Sequence, residues 1–371
     1  MKIIERKTIY RDEEYLAFPN VTWINDDILA CFFRHAKDRR KEFGTHTHID
    51  PTAKIVFVTS QDGGKSFSNQ INLVLDDDMS AQDPCVKVLS DGRILVNYFR
   101  WAFAPEGKGA ETWGKELFER YGRTREGYYD TFNIGFSVSI SDDEGKTWRH
   151  GSVIQPKGFL LGSAVRGNIV EMPDKSLLMP FYGVTECGFM ASCGLVRSMN
   201  RGESWDFFSN TTELNPDKNY LEPFLYRTEK GKLISLFRTQ SDFLKQGVKF
   251  EDTYLNLHIS ESDDDGRTFS PTREISSVWG SNPFHVLRLR SGKAFVSYGY
   301  RRAPFGIRAK LCDGELTDLN EAPEIIVRDD APSGDLGYTC AVQLQDDSIL
   351  LAYYVSDSDG TRLIEGTILK E

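Results

Sequence analysis

Side chains able to bind or transform a ligand recur at one kind of place in this sequence. Asn20, Asp83, Arg166, Glu222, Asn282 and Tyr338 each stand where an apolar run begins. The stretches are Phe18-Pro19-Asn20, Gln82-Asp83-Pro84, Val165-Arg166-Gly167, Leu221-Glu222-Pro223, Asn282-Pro283-Phe284 and Gly337-Tyr338-Thr339, with His285 just beyond the fifth. Arg34, Arg100, Arg238 and the pair Arg301-Arg302 close the apolar runs that follow. Carboxylates exchange protons, and guanidinium groups grip planar anions through paired hydrogen bonds. Gathered at one point, such a set suits an anionic or polyhydroxylated ligand. The competing reading is a network of ion pairs between neighbouring elements, which concentrates the same residue types.

A repeat would bring these residues together. Six times an apolar run, a short polar turn and a second apolar run follow one another: Val21–Phe33, Val86–Tyr98, Ile169–Phe181, Phe224–Leu236, Val286–Tyr298 and Ala341–Tyr353. With Ile28, Ile94, Leu177, Leu233, Ala294 and Ile349 as equivalents, successive hairpins lie 55 to 83 residues apart. Each step holds four short strands, so the spacing predicts an all-β, six-bladed β-propeller over residues 1–371 as a single domain. The strand-like stretches at 2–10 and 361–370 are expected to pair, the N-terminal strand completing the last blade and removing an open edge.

A second phrase repeats four times: Ser60-x-Asp62-x-Gly64-x-Ser66-Phe67, Ser141-x-Asp143-x-Gly145-x-Thr147-Trp148, Ser198-x-Asn200-x-Gly202-x-Ser204-Trp205 and Ser262-x-Asp264-x-Gly266-x-Thr268-Phe269. The carboxylate can accept backbone N–H bonds across a tight turn, and the glycine can take a positive φ. These aspartates are expected on the outer part of the opposite face, with a structural role.

Composition narrows the partners. A net charge of −10 without a basic tract disfavours nucleic acid and anionic membrane surfaces. No apolar run is long enough for a membrane span, and the opening Met1-Lys-Ile-Ile-Glu-Arg-Lys is unlike a signal peptide, so we expect a cytoplasmic protein. The six cysteines form no Cys-x-x-Cys or Cys/His cluster. We therefore expect reduced core thiols, no metal and no cofactor.

The phrases look like the Asp-box repeats of the sialidase superfamily, and the resemblance runs over essentially the whole chain. Sialidases are six-bladed propellers that cleave terminal sialic acids with a Tyr nucleophile, a Glu that activates it, an Asp acid/base and three arginines for the sugar carboxylate. The resemblance implies that Tyr338 is the nucleophile, Glu222 its activator and Arg238 the second arginine. The third arginine falls at Arg301 or Arg302. The acid/base position lies on the loop after the first hairpin, where Asp50 is the best candidate and His48 a nearby substrate contact. The first arginine has no counterpart, because Ala17-Phe18-Pro19 stands where the family has Arg-Ile-Pro. Arg166 could replace it in another geometry, and Arg34 and Asp83 complete the expected substrate contacts.

A neutral tyrosine avoids the repulsion that a carboxylate nucleophile would meet at an anomeric carbon bearing its own carboxylate. With an ordinary pKa of ~10, it needs a nearby base. The expected activity is thus an exo-acting glycoside hydrolase of a terminal, acidic sugar. The alternatives are a non-catalytic propeller that binds a glycan or protein, and a uronic-acid sugar lyase. The stretch 101–132 is an insertion whose Glu111–Tyr121 part reads as a short helix. It either walls one side of the cleft or decorates the fold.

Overall fold

The structure, a computed structural model, describes residues 1–160, 163–185, 190–241 and 249–371. Cys187 lies outside the described residues, and the other five cysteines are buried and unpaired. Six antiparallel sheets follow one another along the chain. The innermost strands are Tyr15–Trp23, Ser80–Val88, Val170–Glu171, Lys218–Arg227, Phe284–Arg288 and Gly337–Gln343, which begin blades 1 to 6. Second strands begin at Leu29, Ile94, Leu177, Leu233, Ala294 and Ile349, within one residue of the spacing read from the sequence. Lys2–Tyr10 pairs antiparallel with Arg362–Lys370, from Lys2 opposite Lys370 to Tyr10 opposite Ile364, and completes blade 6.

The core lies between blades. Leu29, Val56 and Val58 of blade 1 pack against Leu350, Ala352 and Ile364 of blade 6, and comparable apolar layers fill each of the other five junctions. Each blade therefore buries both faces, which matches its strands of near-continuous apolar residues.

The Asp turns join third and fourth strands. Ser141 Oγ donates to Asp143 Oδ1 at 2.8 Å and accepts from the Gly145 N–H at 2.8 Å. Thr147 donates its N–H to Oδ1 at 2.9 Å and its hydroxyl to Oδ2 at 2.7 Å. The turns at Asp62 and Asp264 repeat this pattern. Asn200 keeps the acceptor half and donates its amide to Ser204 Oγ at 2.9 Å. Blade 5 holds a fifth, partial copy, in which Asp313 accepts from the Thr317 N–H at 3.2 Å and from its hydroxyl. It lacks the serine, which hid it in the sequence.

The insertion lengthens the second and third strands of blade 2 to Ile94–Pro105 and Tyr129–Ser141 and adds a short strand, Arg123–Arg125. The expected helix is two helices, Gly109–Trp113 and Lys115–Tyr121. Gly114 between them has φ +89°, a conformation no helix continues through. Among the described residues no helix is long and apolar enough to cross a membrane.

Candidate active site

Four innermost strands carry the same irregularity. Pairing jumps from Ala17–Arg34 to Asn20–Phe32, from Gln82–Phe99 to Cys85–Asn97, from Leu221–Arg238 to Phe224–Leu236, and from Gly337–Tyr354 to Cys340–Ala352. Three steps on the inner strand thus span two on its partner, which is a β-bulge. Phe18, Asp83, Glu222 and Tyr338 sit in these bulges with φ of +60°, +53°, +47° and +50°. Left-handed backbone costs a non-glycine residue about 1–2 kcal/mol. Such strain gathers where a side chain must be aimed rather than packed. Proline follows in three of the four cases (Pro19, Pro84 and Pro223), where its missing N–H is no loss to the ladder.

All four bulge residues line one cavity of about 310 Å³. The Tyr338 hydroxyl donates to Glu222 Oε1 at 2.5 Å. Arg238 Nη1 donates to Glu222 Oε2 at 2.9 Å and approaches the Tyr338 hydroxyl at 3.4 Å. Burial works to raise the Glu222 pKa, but Arg238 and the Tyr338 hydrogen bond bring it below the usual glutamate value. Burial and the nearby carboxyl groups of Glu222 and Asp83 push Tyr338 well above an ordinary phenol. The pair rests as phenol and carboxylate.

Asp83 is the opposite case. Burial and Glu222 push its pKa well above the usual value, against the pull of Arg166 and Arg34. Its Oδ1 has no partner among the described residues. Two carboxyl groups in one cavity are thus driven apart, Glu222 toward the ionised form and Asp83 toward the protonated one. Register explains why. In blade 4 the bulge carboxylate Glu222 faces Arg238 across the hairpin. In blade 2 the residue equivalent to Arg238 is Phe99, so Asp83 has no such partner. In blade 1 the equivalent residue is Arg34, but the bulge holds Phe18. Arg34 is wholly buried, without a hydrogen bond among the described residues, and its guanidinium lies 5.2 Å from the Tyr15 ring.

The other expected residues divide. Arg166 is a brace below the site. It donates to Cys85 Sγ at 2.7 Å and to the Tyr338 carbonyl at 3.1 Å. Asp50 is fully buried, accepts from Arg39 Nε at 2.7 Å and holds the Thr52 N–H and hydroxyl. It does not line the cavity. His48 does, and lies 3.4 Å from Asp335. Arg301 donates to the Tyr254 hydroxyl at 3.4 Å and the Leu336 carbonyl at 3.3 Å, and Arg302 stacks on Trp279. Both line a second cavity of about 580 Å³ that shares His48 as a wall.

Ala17 stands at the position of the absent arginine, and its neighbour Phe18 lines the cavity. The Phe18 ring packs against Tyr338 at 4.7 Å and His48 at 5.4 Å between centroids. Asp335 was not anticipated. Burial would raise its pKa, but His48, Arg362 and Arg301 hold it well below the usual carboxylate range. Only the nearby Gly-Tyr stretch in sequence hinted at its neighbourhood. The insertion supplies Tyr121 and Arg123 to the wall of the first cavity, so it does border the cleft.

A family model described as a BNR repeat-like domain matches residues 117–349. No curated protein matches the chain. Among solved structures, a protein of unknown function from Dyadobacter fermentans is 30% identical over 99% of this chain and 98% of its own, with a TM-score of 0.84. The intramolecular trans-sialidase from Ruminococcus gnavus is 13% identical, covering 95% of this chain and 94% of its own, with a TM-score of 0.64. The NanB sialidase from Streptococcus pneumoniae is 12% identical, covering 98% and 70%, with a TM-score of 0.65. At that identity the two sialidases share the fold. The chain belongs to the family of BNR repeat-like domains and is built as a sialidase-like propeller.

Proposed function

We propose that the protein is an exo-acting glycoside hydrolase that cleaves a terminal acidic sugar with retention. The observation that carries this reading is the buried Tyr338–Glu222 hydrogen bond of 2.5 Å on a cavity of about 310 Å³. A phenol becomes a nucleophile when an adjacent base accepts its proton, and Glu222 is ionised and in reach.

In the first step the Tyr338 oxygen attacks the anomeric carbon, its proton passes to Glu222, and the bond to the leaving oxygen breaks. Asp83 lines the same cavity and burial shifts it toward the protonated form, so we assign it as the proton donor to that oxygen. Asp50, enclosed by Arg39 and Thr52, is less suited to that transfer. In the second step water attacks the glycosyl-tyrosine, Asp83 takes the water proton, and Tyr338 leaves with the proton held by Glu222. Arg238 keeps Glu222 anionic until the phenol is deprotonated.

The test is release of fluorophore from a sialic acid glycoside by the wild type and by Tyr338→Phe. Turnover that disappears in the variant supports the nucleophile. Unchanged turnover removes Tyr338 from the mechanism. If sialosides are inert and uronic-acid glycosides are cleaved, the missing first arginine, with Ala17 at its position, supplies the reason.

A further inference from the structure

The cavity floored by Tyr338 and Glu222 has few cations within reach of a ligand. Arg238 is tied to Glu222, and its Nη2 donates to the Tyr254 hydroxyl at 3.3 Å. Arg166 is spent on Cys85 and backbone carbonyls. Arg301 faces the neighbouring cavity. Among the described residues, Arg123 is the single arginine on the wall of the first cavity, and no lysine lines it. Arg123 lies open to solvent, stacked 5.1 Å over the Trp101 ring, and has no carboxylate partner among the described residues.

Its position is fixed rather than incidental. The Trp101 indole N–H donates to Gln82 Oε1 at 2.5 Å, which locks the ring beside the Asp83 bulge. Arg123 begins the short strand that pairs with Tyr129–Ser141, with Arg123 opposite Thr131. Beside it, the Tyr121 hydroxyl is buried and without a partner among the described residues. A planar cation held on an aromatic shelf, with a phenol at its side, is a seat for a carboxylate or sulfate group.

We infer that Arg123, with Trp101 and Tyr121, is the specificity-determining site that reads the anionic substituent of the sugar. The inference rests on the glycosidase reading of the cavity, and it locates acid recognition on the insertion rather than on the buried arginines. Arg123 acts in binding and touches no reacting atom.

The test is calorimetric titration of the full chain carrying Tyr338→Phe, with and without Arg123→Gln. The probes are para-nitrophenyl glucuronide against para-nitrophenyl glucoside, and sulfated against unsulfated para-nitrophenyl galactoside. We expect one acidic probe to bind about tenfold or more tightly than its neutral counterpart, as a charge-assisted contact provides, and Arg123→Gln to abolish the difference. Which acidic probe responds separates a carboxylate from a sulfate ligand. Equal binding of acidic and neutral probes, or an acid preference that survives Arg123→Gln, overturns the inference. So does the absence of binding by all four. Turnover by the chain with Tyr338 and Arg123 both intact judges the glycosidase reading separately.

Discussion

The serine-led turns at the rim and the bulges at the axis each occur four times, but they hold different things constant. At the rim the side chains are kept: Asp62, Asp143 and Asp264 accept the same bonds, and Asn200 copies half of them. At the axis the backbone is kept and the side chain varies, from Phe18 to Asp83 to Glu222 to Tyr338. The electrostatics diverge accordingly. The Thr147 and Thr268 bonds lower Asp143 and Asp264 to about 2. Burial drives Asp83 the other way. A residue repeated with its partners is serving the fold. A backbone strain repeated with changing side chains is a set of mounts for different chemical roles.

The largest expected effect breaks the axis alone. Tyr338→Phe should lower turnover by about three orders of magnitude or more, because the proposed nucleophile is gone. Its melting temperature should stay within a few degrees of the wild type, since only a hydroxyl is removed. A variant that keeps a tenth of the activity would show that the bulge tyrosine is not the nucleophile.

Next comes Asp83→Asn, which preserves shape and removes the transferable proton. Turnover should fall by about 10²-fold or more on substrates with a poor leaving group. The loss should shrink for an aryl glycoside, whose leaving oxygen needs no proton. An equal loss on both substrates would move the acid elsewhere, with Asp50 the first alternative.

The pH profile sharpens the contrast between the two carboxyl groups. Glu222 must be ionised, and its pKa is lowered, so the acid limb should lie below the ordinary glutamate value of ~4.3. Asp83 must be protonated, and its pKa is raised, so activity should fall as pH rises through a value well above the ordinary ~3.9. The two limbs belong to the coupled pair. Asp83→Asn should flatten the alkaline limb, and a profile with its alkaline limb intact in that variant would assign it to another group.

The smallest effect belongs to the rim. Asp143→Ala removes the Thr147 bonds from an exposed turn, so the melting temperature should drop by a few degrees at most with kcat/KM unchanged. A tenfold loss of kcat/KM would make the turn part of the site and dissolve the distinction.

Much of this was legible in the sequence. The hairpin spacing contained the blade count, and the strand-like ends implied the closure at Lys2–Tyr10. The inner-strand starts already held Asp83, Glu222 and Tyr338, because a repeat assigns equivalent positions without knowledge of contacts. The Pro after Phe18, Asp83 and Glu222 was a signal of the bulges that spacing alone did not exploit. The fifth Asp turn escaped because Asp313 and Thr317 keep only half the phrase.

Sequence alone determined the ring, its closure and the list of side chains that could meet at its axis, since these follow from periodicity along the chain. Tertiary structure decided which of them share the cavity, that Arg166 braces it from below, and that Asp50 is enclosed by Arg39. It also decided which carboxyl group is pushed toward the protonated form and which away from it. The aim of a side chain depends on a local bulge, but its charge depends on burial and on neighbours from other blades. Glu222 and Tyr338 meet across 116 positions of the chain, and no local pattern encodes that contact.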